Sequence, residues 1–233
     1  MKSKFGLETM NDNTPDNSNL LAGLLSITFD LPWLAMIGNL WRIARRILRG
    51  FANEGVYEVL DYECTLELSD KSGKNAIIHK RERVKYLQDY ITAYEDQAWG
   101  DGSVFLDYHC SPGIPVDEYR LGHKILKLIS LREFKNKGDI DEYHIEWKMR
   151  SNLRKSTGSW GTSINHRTNK VTVRLIFPKS RPPLHSSITE SNLQKTYELG
   201  INNQQSLPDG RIMIVWEKVN PRLYEDYILK WEW

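Results

Sequence analysis

Residues 143–150 read YHIEWKMR, apolar and polar in alternation. A period of two fits an extended strand with one face covered and the other wet. A slip of one residue would turn Tyr143, Ile145, Trp147 and Met149 out to water, so the pattern also fixes which face points to a core. The alternation returns at Val171, Val173, Leu175 and Phe177, and again at Tyr227, Leu229, Trp231 and Trp233. It also returns at Leu60, Tyr62, Cys64, Leu66 and Leu68, set between Asp61, Glu63, Thr65 and Glu67.

Turn chemistry separates these runs. Asp70-Lys71-Ser72-Gly73-Lys74 precedes a partner strand at 76–78, and Leu207-Pro208-Asp209-Gly210 precedes a strand over 211–219. Further strands are expected at 104–110, 126–134 and 159–164. Asn136-Lys137-Gly138-Asp139 is read as the turn of a hairpin that joins 126–134 to 143–149 at the centre of a sheet. Residues 82–98 fit a helix or a strand. Residues 184–200 are weakly patterned and fit an edge strand or a covering loop. The result is a mainly β chain of about seven to nine strands, expected as an antiparallel β-sandwich, immunoglobulin-like or jelly-roll-like, or a barrel. No internal repeat supports a propeller or solenoid, and no α/β alternation supports a parallel nucleotide-binding sheet.

The segment ahead of these strands is different. Residues 1–19 are polar and rich in Asn and Asp, and are read as a flexible tail. Residues 20–29 are nearly all apolar; Asp30 then suits an N-cap, with Pro32 in the first helical turn. Trp33, Met36, Ile37, Leu40, Trp41, Ala44, Ile47 and Leu48 recur at helical spacing, while Arg42, Arg45, Arg46 and Arg49 gather toward the C-terminal end. Residues 20–41 are long enough to span a bilayer, but Asp30 at mid-span would cost about 2.5–3.5 kcal/mol. A helix lying in the membrane plane, or docking on a partner protein, avoids that cost. The expected organisation is a tail (1–19), an apolar and basic helical segment (20–54) and a β-sandwich domain (55–233).

Composition narrows the function classes. With 233 residues, 40% hydrophobic and 27% charged, the chain can bury a sizeable core. A net charge of +2 is too small for a surface that grips nucleic acid throughout. Cys64 and Cys110 form neither a disulfide framework nor a zinc spacing, which fits a cytoplasmic protein, peripheral at the inner face of a membrane if the helix docks there. The order of charges in the first thirty residues does not fit a secretory signal peptide.

Few residues suggest chemistry. In Asp107-Tyr108-His109-Cys110 a cysteine adjoins a histidine, but on a strand the neighbours point to opposite faces, so Cys110 would need a distant base such as His123 or His144. The six histidines, at 79, 109, 123, 144, 166 and 185, show no ligand spacing, and no metal or cofactor is expected. Lys80, Arg81, Arg83 and Lys85 are the candidate contacts for a small anionic ligand, with Tyr86, Tyr90 and Trp160 as rings that could stack bases. The preferred expectation is a non-enzymatic intracellular binding module, an adaptor, sensor or effector subunit. Its β domain would recognise a protein or small anionic ligand, and its helix would dock on a membrane, a partner protein or a second copy. The alternatives are a hydrolase or transferase built around Cys110, and a nucleotide- or RNA-binding sandwich.

Overall fold

The computed structural model describes residues 55–99, 103–150 and 156–233. The tail and the amphipathic helical segment expected over 1–54 lie outside the described residues. Among those described there is no α-helix, and none is long and apolar enough to cross a membrane.

The described chain is mainly β. Fourteen strands run in order β1 (Tyr57–Leu68), β2 (Asn75–Tyr86), β3 (Ile91–Trp99), β4 (Ser103–Ser111), β5 (Ile114–Leu121), β6 (Lys124–Lys135) and β7 (Ile140–Arg150). They continue as β8 (Thr157–Ser163), β9 (Lys170–Phe177), β10 (His185–Glu190), β11 (Lys195–Glu198), β12 (Gln204–Ser206), β13 (Ile212–Val219) and β14 (Asp226–Glu232). They form three sheets: a seven-stranded one in the order β12-β13-β9-β1-β2-β7-β4, a four-stranded one, β11-β10-β14-β8, and a three-stranded one, β3-β6-β5. Every ladder is antiparallel except β1–β9, which pairs Tyr62 with Val171 through Glu67 with Ile176 in parallel.

The period-two runs bury the faces they predict. Tyr143, Ile145, Trp147 and Met149 are buried on β7, as are Val171, Val173, Leu175 and Phe177 on β9. In β1 the phase changes at a bulge between Val59 and Asp61: Tyr57 and Val59 point inward before it, Cys64, Leu66 and Leu68 after it, and Leu60 is the surplus residue. Within 82–98 there is no helix: residues 82–86 end β2 and 91–98 belong to β3, with a bend over 88–90 between them. In the segment 184–200, β11 is an edge strand, but β10 lies inside its sheet between β11 and β14.

The hairpin expected at the sheet centre is not formed. β6 pairs with β3 and β5, while β7 pairs with β2 and β4, so the Asn136–Asp139 turn carries the chain from one sheet to another. Gly138 takes φ +97° there, and the turn is held by Tyr86, whose N–H donates to the Asp139 carbonyl and whose carbonyl accepts from the Gly138 N–H. Turn chemistry marks the reversal but does not say which partner the returning strand takes.

Aromatic pairs tie the sheets together. Tyr94 of β3 stacks on Tyr143 of β7 with ring centres 3.9 Å apart, and Tyr57 of β1 lies 5.6 Å from Tyr94. On the other flank Phe177 of β9 meets Trp231 of β14 at 5.7 Å, and Trp216 of β13 meets Tyr227 at 4.8 Å. Between these two contact zones the inner face of β1 and β2 is bordered by β3 on one side and β8 on the other.

Candidate functional site

Strand parity on β2 places Ala76, Ile78, Lys80, Glu82, Val84 and Tyr86 on one face, and all six are buried. Two of them are charged. An isolated buried ion costs several kcal/mol, so such groups persist only when paired. Lys80 Nζ lies 2.7 Å from Glu82 Oε2 and 2.8 Å from Oδ1 of Asp96, a fully buried residue of β3. The Tyr94 hydroxyl accepts from Lys80 at 3.2 Å and donates to Glu82 Oε2 at 2.8 Å. Asp96 also accepts from the Gln97 N–H at 2.9 Å and the Tyr108 hydroxyl at 3.0 Å. Burial pushes the Lys80 ammonium toward losing its proton, but the carboxylates of Asp96 and Glu82 outweigh it and hold its pKa well above the ordinary lysine value.

The cluster forms the floor of a cavity of about 300 Å³ where the three sheets meet. Tyr62 and Trp147 of the large sheet, Tyr94 and Trp99 of β3, and Trp160 of β8 supply most of its aromatic wall. Small residues make room: a side chain at Gly161 would begin 3.4 Å from the Trp99 ring. Nearer the rim, His166 stacks on Tyr57 at 4.2 Å, and Lys124 Nζ sits 5.3 Å above the Trp99 ring. The indole nitrogens of Trp147 and Trp160 are sealed within the wall; neither has a regular hydrogen bond, though Trp160 borders the Cys64 thiol, a weak acceptor. Glu82 engages both its partners through Oε2, which leaves Oε1 without a hydrogen bond on a residue that lines the cavity.

The other candidate residues fall elsewhere. On β4, Asp107 and His109 are exposed while Tyr108 and Cys110 turn inward, so His109 and Cys110 do not face one another. Asp107 pairs with Lys148 at 3.0 Å. Burial pushes the Cys110 thiol up to about 12, with the Asp96 charge adding to it, and burial pushes Cys64 up to about 11. Neither is a thiolate near neutral pH. The basic run on β2 divides by parity: Lys80 points to the cavity, and Arg81, Arg83 and Lys85 to the opposite face. There Arg81 is ion-paired with Asp61, with Glu63 at 2.6 Å and with Glu142 at 3.1 Å, and Lys85 lies 3.5 Å from Glu58.

That outer face also carries an open groove bordered by His79, His109 and His144. His79 is paired with Glu146 at 3.1 Å and His144 with Glu142 at 3.0 Å. Among the described residues no three His, Cys, Asp or Glu side chains are grouped to hold a metal ion. The docking residues Trp33, Met36, Ile37, Leu40, Trp41, Arg42, Arg45, Arg46 and Arg49 lie outside the described residues.

The sequence reading passed over Glu82 and Asp96, and took Trp99 with Gly100 as core-edge packing beside a turn. The signal for the first was available: Glu82 shares parity with Ile78, Val84 and Tyr86, so an extended β2 must bury it together with Lys80. Asp96 could not be found that way until residues 91–99 were known to be a strand.

No family model matches the chain, and no curated protein matches it. Among solved structures it is similar to an M1 zinc metallopeptidase from Deinococcus radiodurans, at 11% sequence identity and a TM-score of 0.43. The match covers 74% of this chain and 42% of that one, so the chain spans less than half the length of that neighbour. A likeness of this degree transfers no activity and no residue role.

Proposed function

We propose that residues 55–233 form a non-enzymatic binding module whose recognition element is the cavity at the junction of the sheets. We read its architecture as a sandwich-like packing, the seven-stranded sheet as one layer and the two smaller sheets as the other. The observation that carries the proposal is a polar, aromatic-walled cavity built over a buried, charge-paired floor. A volume of about 300 Å³ suits a small molecule at the lower end of ligand-site sizes. The groups nearest to chemistry are in unreactive forms, with Lys80 protonated and both thiols protonated, which favours binding over nucleophilic catalysis. The outer basic strip is a weaker place for an anion, because Arg81 already serves three carboxylates.

The test is a thermal-shift screen of soluble fragments, each of about 20 heavy atoms or fewer, against the wild type and Gly161→Leu, a substitution placed to fill the cavity. Fragments that raise the melting temperature of the wild type and leave the variant unmoved support the reading. No shift in the wild type, or equal shifts in both proteins, would remove it.

Within the same proposal, the segment 20–54 docks the module on a membrane surface or a partner protein inside the cell, through the arginines at 42, 45, 46 and 49. Flotation with vesicles of mixed neutral and anionic lipid tests the membrane version. The wild type is expected to float and a variant with those four arginines changed to Glu to stay behind. Equal behaviour of the two ends it.

A further inference from the structure

We propose that the cavity takes a small organic cation, an ammonium group held against Glu82 Oε1 within the ring of tyrosines and tryptophans. This inference rests on the binding reading above. It follows from what the buried cluster leaves unused. A lysine ammonium has three N–H donors, and Lys80 meets three acceptors, Glu82, Asp96 and Tyr94. The Tyr94 hydroxyl is committed to Glu82 and the Tyr108 hydroxyl to Asp96. With these donors committed, the floor retains an acceptor, Glu82 Oε1, on a residue only 4% exposed.

The field at the floor points the same way. There one ammonium, Lys80, stands between two carboxylates, Glu82 and Asp96. The walls add to it, because the face of an aromatic ring carries negative electrostatic potential and attracts cations. Two such faces already hold lysines: Lys80 Nζ stands 5.4 Å from the Tyr62 ring centre, and Lys124 lies over Trp99. A carboxylate or phosphate would meet the opposite field, set against Glu82 Oε1 and the ring faces. A neutral apolar molecule would fill the volume but leave the free carboxylate oxygen desolvated, a cost that an ammonium group removes.

The experiment uses one carbon skeleton in three charge states: 3,3-dimethylbutylamine, protonated at pH 7.5, its neutral alcohol 3,3-dimethylbutan-1-ol, and the 3,3-dimethylbutanoate anion. Each is titrated into the full chain by calorimetry, with tryptophan fluorescence as a second readout. The amine is expected to bind at least tenfold more tightly than the other two. Glu82→Gln keeps an acceptor for Tyr94 and should lower amine affinity about tenfold while leaving the alcohol unchanged. Should Glu82→Gln fail to fold, Trp99→Leu supplies the second variant, expected to weaken the amine more than the alcohol. Alcohol or anion binding as tight as the amine, no binding by any of the three, or folded variants that hold the amine like wild type would each overturn the inference. Fragments excluded by Gly161→Leu would still support the cavity as a site in that event, so the two failures are distinguishable.

Discussion

Lys80 holds its place because two carboxylates face it, and the converse holds for them. Changing Lys80 to Met would leave Glu82 and Asp96 buried beside one another without a counter-charge. Breaking such a pair from one side costs about 3–5 kcal/mol, and urea unfolding of Lys80→Met should show a loss of that size. Replacing all three with apolar residues of similar volume should recover much of it, since an apolar cluster has no ions to desolvate. The alkaline limb of stability has a defined sign. Cys64 and Cys110 have folded pKa values raised to about 11 and about 12, so their contribution is complete below the ordinary thiol range and declines as pH rises through it. The Lys80 contribution, also from a raised value, declines at still higher pH. Urea midpoints at pH 7.5, 9 and 10.5 should fall in that order, and the double change Cys64→Ala and Cys110→Ala should flatten the first step. At this scale the sequence was legible where parity alone decides, as for Val173 or Trp147. It was misread where a charged residue occupied an inward position, because Lys80 was grouped with its neighbours by charge instead of by face.

Element by element, what distinguishes the strands is how close they let a neighbour come. Strand β8 carries glycine at 158 because the Trp231 indole packs directly on its backbone: a Cβ there would fall 2.3 Å from the ring. Gly158→Ala should therefore cost about 1–3 kcal/mol through overpacking. Gly200→Ala, where a Cβ meets nothing within 4 Å, should lie within about 0.5 kcal/mol of wild type. Thermal unfolding of the two variants side by side checks the contrast. Where the alternation is regular, as in β7, β9 and β14, both the strand and its inward face were readable. Yet fourteen strands stand where about seven to nine were expected, and β5 was not among those expected. Pairing was not readable. The β6–β7 turn looks like a hairpin because its residues satisfy turn chemistry, yet each flanking strand has its inward face matched by a different sheet. The bulge after Val59 shows the same limit, since one surplus residue reverses the parity of everything before it.

In the molecule as a whole, β14 is inserted between β8 and β10, and its Trp231 reaches Phe177 on the large sheet. Removing residues 226–233 should therefore abolish cooperative unfolding of the β domain, read as a broad, featureless melt in near-ultraviolet circular dichroism. The mainly β character was legible because it is the sum of many local alternations. The cavity was not, because its walls come from strands far apart in sequence, and no local pattern says which faces will meet.

The parallel ladder between β1 and β9 has a consequence for synthesis. On the ribosome, β1 and β2 can pair as soon as both emerge, but the other edge of β1 stays open until residues 170–177 appear. At ordinary elongation rates the roughly 100 residues between them take about 5–20 s. Throughout that interval a long apolar strand edge is presented to every other nascent chain and to chaperones. Asp61, Glu63 and Glu67 on its polar face are the charges that discourage a stray strand from adding there first.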